Sequence, residues 1–224
     1  MATTKTTKKK NPGKKADLRE LILTTYREHV LMNNVTPASV FQFMRELDES
    51  EGKFYDFFAS FEALEKSIWK SYIDETIAAL EADGAYADYN AREKFLAFYY
   101  TLLEMMKRDR SFIKYSFERV KRPDVSPVIM KLFKERFMEY TGAILNEGRE
   151  MEEIVDRPVI SDRYKDGIWL QMMFLIRFWL NDDSTGFTNT DAAVEKSVNL
   201  SFELMGKGPL DQMIDFAKFL YHNK

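Results

Sequence analysis

Cysteine is absent from this chain of 224 residues, which excludes a disulfide framework, a thiolate metal site and a cysteine nucleophile. Histidine is almost as scarce. His29 and His222 are the only two, too few for the Glu-x-x-His pairs of a di-iron helical bundle. Glu147, Glu150, Glu152 and Glu153 have no histidine among them and read as a solvated helix end. No Gly-x-Ser-x-Gly elbow and no glycine-rich phosphate loop occurs, so catalysis is not expected and no cofactor or metal is called for. With 9 Gly and 6 Pro, turns are sparse and long helices are favoured. The longest apolar run, 168–180, is broken by Gln171 and Arg177 and falls short of the ~20 residues a membrane span needs. Neither a strand period nor an internal repeat is present, and the expectation is an all-α protein in the cytoplasm.

Charge is unevenly placed. The whole chain carries −3, yet residues 1–20 hold Lys5, Lys8, Lys9, Lys10, Lys14, Lys15 and Arg19 against Asp17 and Glu20, a local +5. Such a run is either a solvated, disordered tail or an arm that follows a nucleic-acid backbone. It lacks the apolar segment of a secretory signal.

Residues 36–69 carry the most informative pattern. Thr36 and Pro37 offer a cap and a first helical position, followed by Val40, Phe43, Met44 and Leu47 at helical spacing. A polar break at Asp48, Glu49 and Ser50 precedes Gly52, Phe54, Tyr55, Phe57 and Phe58, a second short element. Ser60 then caps a longer amphipathic helix with Leu64, Ile68, Tyr72 and Ile73. Upstream, Asp17-x-x-Glu20 opens a helix with Leu18, Leu21, Ile22, Thr25, Tyr26 and His29 inward. Two short helices on a tight turn make a helix-turn-helix.

At Val40 and Phe43, then Ser50, Gly52, Tyr55, Phe57 and Phe58, then Ser60, Glu62 and Leu64, the chain resembles the TetR family of bacterial transcriptional regulators. Those proteins read T-x-V-x-x-I-A, A-G-V-S-x-G-T-x-Y-x-Y-F and S-K-E-x-L, with no gap relative to this chain from Val40 to Leu64. The resemblance implies a small N-terminal DNA-reading domain, a larger helical domain for ligand and dimerisation, and some nine to ten helices. It implies that Ser50, Lys53 and Tyr55 face the groove or phosphates, that Gly52 permits close approach, and that Thr36, Ser39 and Arg45 flank them. Two departures stand out: the family's Ala-Gly-Val turn is Leu47-Asp48-Glu49 here, and its Lys is Phe61. Between Arg45 and Glu62, the acids Glu46, Asp48, Glu49, Glu51, Asp56 and Glu62 oppose only Arg45 and Lys53, a net −4. Phosphate contact depends on Lys and Arg, so this hairpin needs help from elsewhere, the basic arm being one source.

The expected organisation is a basic arm at 1–15, a helix-turn-helix domain at 16–82 and a helical domain at 90–224. In the last of these, Phe98, Tyr99, Met105, Phe112, Phe117, Phe137, Tyr140, Trp169 and Met173 either line a pocket for an apolar or amphipathic ligand or fill one another's space. Arg177, amid Met173, Phe174, Leu175, Ile176, Phe178 and Trp179, is expected to find a carboxylate inside the fold or an anionic group on the ligand. The helix at 162–180, the most apolar, is expected in the middle of the bundle. With 191–205 it forms the dimer seam that the TetR resemblance implies. Trp179-Leu180-Asn181-Asp182-Asp183-Ser184, with Phe187 and Thr190, also resembles a ubiquinone-biosynthesis accessory protein family, which shares the fold, binds isoprenoid lipid and does not act on DNA. Two functions therefore stand open: a ligand-responsive repressor that binds DNA as a homodimer, or a carrier of an apolar ligand that does not bind DNA. The last amphipathic helix, 210–221, either caps the bundle or rests on a membrane surface, its Lys218 and Lys224 offset by Asp211 and Asp215; no stable membrane insertion is expected.

Overall fold

The computed structural model describes residues 12–119, 126–157 and 160–223. Those residues form ten α-helices and no strand, so the all-α, TetR-like expectation holds. Residues 1–11, most of the expected basic arm, lie outside the described residues, as do Val120, Pro123 and Lys224. None of the described helices is long and apolar enough to cross a membrane. The contacts divide the chain into two compact units, Met1–Ile68 and Trp69–Lys224.

The first unit holds α1 (Pro12–Asn33), α2 (Val40–Glu46), α3 (Glu51–Tyr55) and the first turns of α4 (Phe61–Glu81). α2 starts later than its sequence suggests. The cap is Ser39 rather than Thr36, because the Ser39 hydroxyl accepts from the backbone N–H of Gln42 at 3.1 Å. Ser60 caps α4 as expected, accepting from Ala63 N–H at 3.1 Å. The α2–α3 turn closes with Glu49 N–H donating to Met44 C=O at 2.9 Å, which places Asp48 at φ +53. This left-handed position is where the family pattern has Gly, and Asp is among the few other residues that tolerate it. Phe61, the second departure, is a packing residue: its ring lies 5.3 Å from Phe54, 5.4 Å from Tyr26 and 5.5 Å from Phe43. Four aromatic rings thus weld α1, α2, α3 and α4 into one core. The buried Tyr26 hydroxyl donates to Glu65 at 2.5 Å, so its polar end is satisfied.

The second unit contains the rest of α4, then α5 (Ala91–Lys107), α6 (Arg110–Glu118), α7 (Lys131–Glu150), α8 (Tyr164–Leu180), α9 (Thr188–Met205) and α10 (Pro209–His222). α5 packs on α7 and α9, and α8 packs on the same two helices. Asn90 and Glu93 form a reciprocal capping box at the start of α5, each bond 2.9 Å long. α7 comes close to its neighbours at Gly148, where a Cβ would stand 2.9 Å from Ala91 Cβ. Arg110 closes the C-terminal end of α8 by donating to Leu180 C=O at 2.9 Å. Its guanidinium also stacks over Trp179 and Phe187, 5.5 and 5.2 Å from the ring centres. Between α8 and α9, both oxygens of Asp182 are engaged. One accepts from Ser184 N–H and Oγ at 2.9 and 2.7 Å, the other from Thr190 N–H and Oγ1 at 2.9 and 2.6 Å. The residues that resemble the lipid-binding accessory family therefore have a local structural job, the closing of this turn.

Candidate functional site

In the first unit, each residue expected to meet DNA is placed on or near the surface of α2 and α3. Ser39, Arg45, Ser50, Gly52, Lys53 and Tyr55 are exposed and Thr36 is half-buried. Arg45, Ser50 and Gly52 share an open cleft of about 530 Å³ with Phe41, Asp48, Glu49 and Glu51. Open space surrounds the missing Gly52 side chain, as close approach of another backbone requires. The electrostatics run the other way. Lys53 is ion-paired with Glu49 one turn back, and the Tyr55 hydroxyl donates to Glu51 at 3.2 Å. Tyr55 is pushed above its ordinary pKa by desolvation and by Glu51. Arg45 alone among these residues offers a cation with no carboxylate bonded to it among the described residues.

In the second unit, the expected ligand-lining residues divide. Phe98, Tyr99, Phe112, Phe117, Phe137, Trp169 and Met173 are buried, while Met105 and Tyr140 are half-buried. Most of these rings meet each other: Phe98 lies 5.8 Å from Phe137 and 5.1 Å from Tyr140, and Phe137 lies 5.6 Å from Trp169. The Tyr140 hydroxyl is bonded to that of Tyr86. Tyr99 is different. It is 1% exposed, its hydroxyl has no hydrogen-bond partner among the described residues, and burial holds its phenol far above the ordinary value.

Arg177 corrects the expectation of a buried cation. It is exposed on α8, makes no ion pair among the described residues, and lies 5.8 Å from the Phe117 ring centre. The reason is helical phase. Met172, Leu175, Ile176 and Trp179 take the core face, while Leu170, Phe174, Arg177 and Phe178 project from the other. α8 therefore does not run through the middle of the bundle: Leu170, Phe174 and Phe178 are 51, 50 and 37% exposed. Together with Met173, Asn181, Asp182, Asp183 and Asn189 they line an open cleft of about 570 Å³ around Arg177. Gln171, the other polar interruption, bridges to α9, donating to Ser197 at 2.9 Å and accepting from Ser201 at 3.0 Å.

The buried cation that the sequence does not announce is Arg157, 5% exposed. It donates to Asp211 through Nε at 2.6 Å and Nη2 at 2.8 Å, to Tyr164 at 2.7 Å and to Gly206 C=O at 2.7 Å. Asp211 is consequently held at a pKa of about 2, first by that guanidinium and then by Gly208 N–H. This anchor fixes the first turn of α10 to the end of α9. Beyond it, Met213, Phe216, Phe219, Leu220 and Tyr221 remain exposed. Only structure reveals the anchor, since the partners of Arg157 on α9 and α10 lie 47–54 residues away in sequence.

A helical fold with a compact N-terminal hairpin unit and a larger helical unit is the architecture of TetR-type regulators. The family pattern described as tetracyclin repressor-like, C-terminal domain, matches residues 94–220, more than half of the chain. The chain belongs to that family. A candidate tetR family transcription regulator from Shewanella sp. PV-4 has a similar structure, with TM-score 0.58 and 14% identity over 84% of this chain and 97% of that one. A protein of unknown function from Rhodococcus sp. RHA1 is similar at TM-score 0.50 and 18% identity, over 85% of this chain and 96% of that one. No curated protein sequence matches the chain.

Proposed function

We propose that the protein is a transcriptional regulator, most simply a repressor, that binds double-stranded DNA as a homodimer and releases it in response to a small ligand. The observation that carries this function is the hairpin: Arg45, Ser50 and Gly52 share one open cleft on it. In this proposal Ser50, Lys53 and Tyr55 face the groove or phosphates, Gly52 allows close approach, and Thr36, Ser39 and Arg45 flank them. Glu49 must give up Lys53 for that to happen, and phosphate contacts from the basic arm compensate for the acidic hairpin.

The two copies pair through α8 and α9, whose exposed Leu170, Phe174, Phe178, Leu200 and Leu204 are the apolar surface that such a seam covers. The ligand enters the helical unit near Tyr99, whose buried, unpartnered hydroxyl calls for a hydrogen-bonding group beside an apolar body. Phe98, Phe112, Phe117, Phe137, Tyr140, Trp169, Met105 and Met173 yield space to it. The bound ligand shifts the population away from the DNA-competent dimer.

The test is selection from a random duplex pool at about 0.1 M salt, using the full chain and the Lys8→Gln/Lys9→Gln/Lys10→Gln variant. Enrichment of a palindromic site that weakens in the variant is expected. If no site is enriched, the regulator proposal falls and the apolar-ligand carrier replaces it, to be checked by mass spectrometry of molecules extracted from the purified protein.

A further inference from the structure

The cleft on α8 carries a charge pattern that apolar burial alone does not explain. Arg177 and Asp183 both line it, both are exposed, and neither is ion-paired among the described residues. Asp182, the third charged group there, is fully occupied by Ser184 and Thr190. One patch thus presents a cation and an anion, neither of them in an ion pair among the described residues, beside Leu170, Phe174 and Phe178. Within one chain the two do not bridge.

The geometry points to reciprocal ion pairs between two copies of this chain, with Arg177 of each copy bonded to Asp183 of the other. A two-fold axis places the same patch against itself, so a residue that meets a second residue of the partner is met by that same residue in return. A patch holding one free charge of each sign on an apolar surface is self-complementary under that operation, whereas one holding a single sign repels itself. The exposed apolar stripe supplies the burial, and the two equivalent bridges supply register and partner choice. A small anionic ligand is a poorer occupant, because the exposed Asp183 shares the cleft with Arg177 and offsets its attraction for an anion. This pairing rests on the homodimer proposed above and deepens it by naming the residues that select the partner.

The parent chain, Arg177→Glu and Asp183→Lys are compared by sedimentation equilibrium and native mass spectrometry. Both positions are exposed, and circular dichroism melting of each variant verifies that it folds like the parent. Each single variant places like charges across the axis, so its dimer dissociation constant should rise about tenfold or more. The decisive sample is an equimolar mixture of the two variants. In the mixed dimer, the glutamate that replaces Arg177 in one copy meets the lysine that replaces Asp183 in the other, and the remaining Asp183 meets the remaining Arg177. Heterodimer should therefore form in preference to either homodimer, with affinity within about threefold of the parent. An ion pair inside one chain would not be rescued by mixing. If the parent is dimeric and mixing restores nothing, or the single variants dimerise normally, the reciprocal pairing is overturned while the homodimer stands. A monomeric parent at micromolar concentration overturns both.

Discussion

Asp48 is the residue at which stability and proposed function are joined most directly. It holds φ +53 in the α2–α3 turn and adds a carboxylate to the cleft lined by Arg45, Ser50 and Gly52. Replacing it by Gly removes both the left-handed penalty and the charge, so Asp48→Gly should raise unfolding stability by about 0.5–1 kcal/mol in urea titration. The same variant should tighten DNA binding, most visibly at low salt. Two glycines in α7 should respond in opposite senses to the same substitution. A Cβ at Gly148 would stand 2.7 Å from Ile154 Cδ1 and 2.9 Å from Ala91 Cβ, and Ala91 has no rotamer with which to retreat. Gly148→Ala should therefore cost about 1–2 kcal/mol of stability. At Gly142 the obstruction is the far end of the exposed Lys165 side chain, which can swing away. Gly142→Ala should be neutral or stabilising by up to about 1 kcal/mol, since Ala is the better helix former.

Helix ends, rather than helix interiors, set the character of the second unit. Asp182 closes the α8–α9 turn with four accepted hydrogen bonds and is held at a pKa of about 2, chiefly by the Ser184 and Thr190 hydroxyls, against 3.8 for a free Asp. A carboxylate whose pKa is depressed by folding stabilises the fold fully above its unfolded value. That contribution is lost as pH falls through the folded value, here between about pH 4 and 2. Asp182→Asn should lower stability at pH 7 and flatten the loss between pH 4 and 2, which acid titration of the unfolding midpoint measures. α10 depends on the Arg157–Asp211 fork in the same way. Asp211→Asn leaves a buried guanidinium without its counter-charge. Amide hydrogen exchange across 209–222 should then accelerate about tenfold or more while α5 and α7 keep their protection. Uniform acceleration through the unit would show that the fork holds the whole bundle rather than this helix.

At the scale of the proposed homodimer, α8 is decisive because apolar residues lie on both of its faces. Phe174→Glu should raise the dissociation constant of the proposed dimer about thirtyfold or more in sedimentation equilibrium without changing the melting of the isolated chain, because Phe174 is half exposed in a single copy and the proposed seam covers it. Much of this molecule is determined by its sequence alone. Helical periodicity, capping residues and sparse Gly and Pro specify an all-helical chain, and the spacing from Val40 to Leu64 specifies the hairpin and its family, because these signals act between residues at most a few turns apart. The tertiary structure decided the rest. It put Phe61 into an aromatic core where the family pattern has a Lys, and it made Ser39 rather than Thr36 the cap of α2. Arg177 was turned outward, against what its apolar neighbours in sequence suggest, and Arg157, which no sequence pattern singles out, was turned inward. The physical reason is that apolar content tells how much of a helix avoids water, whereas which face meets the core depends on the phase at which distant helices pack against it.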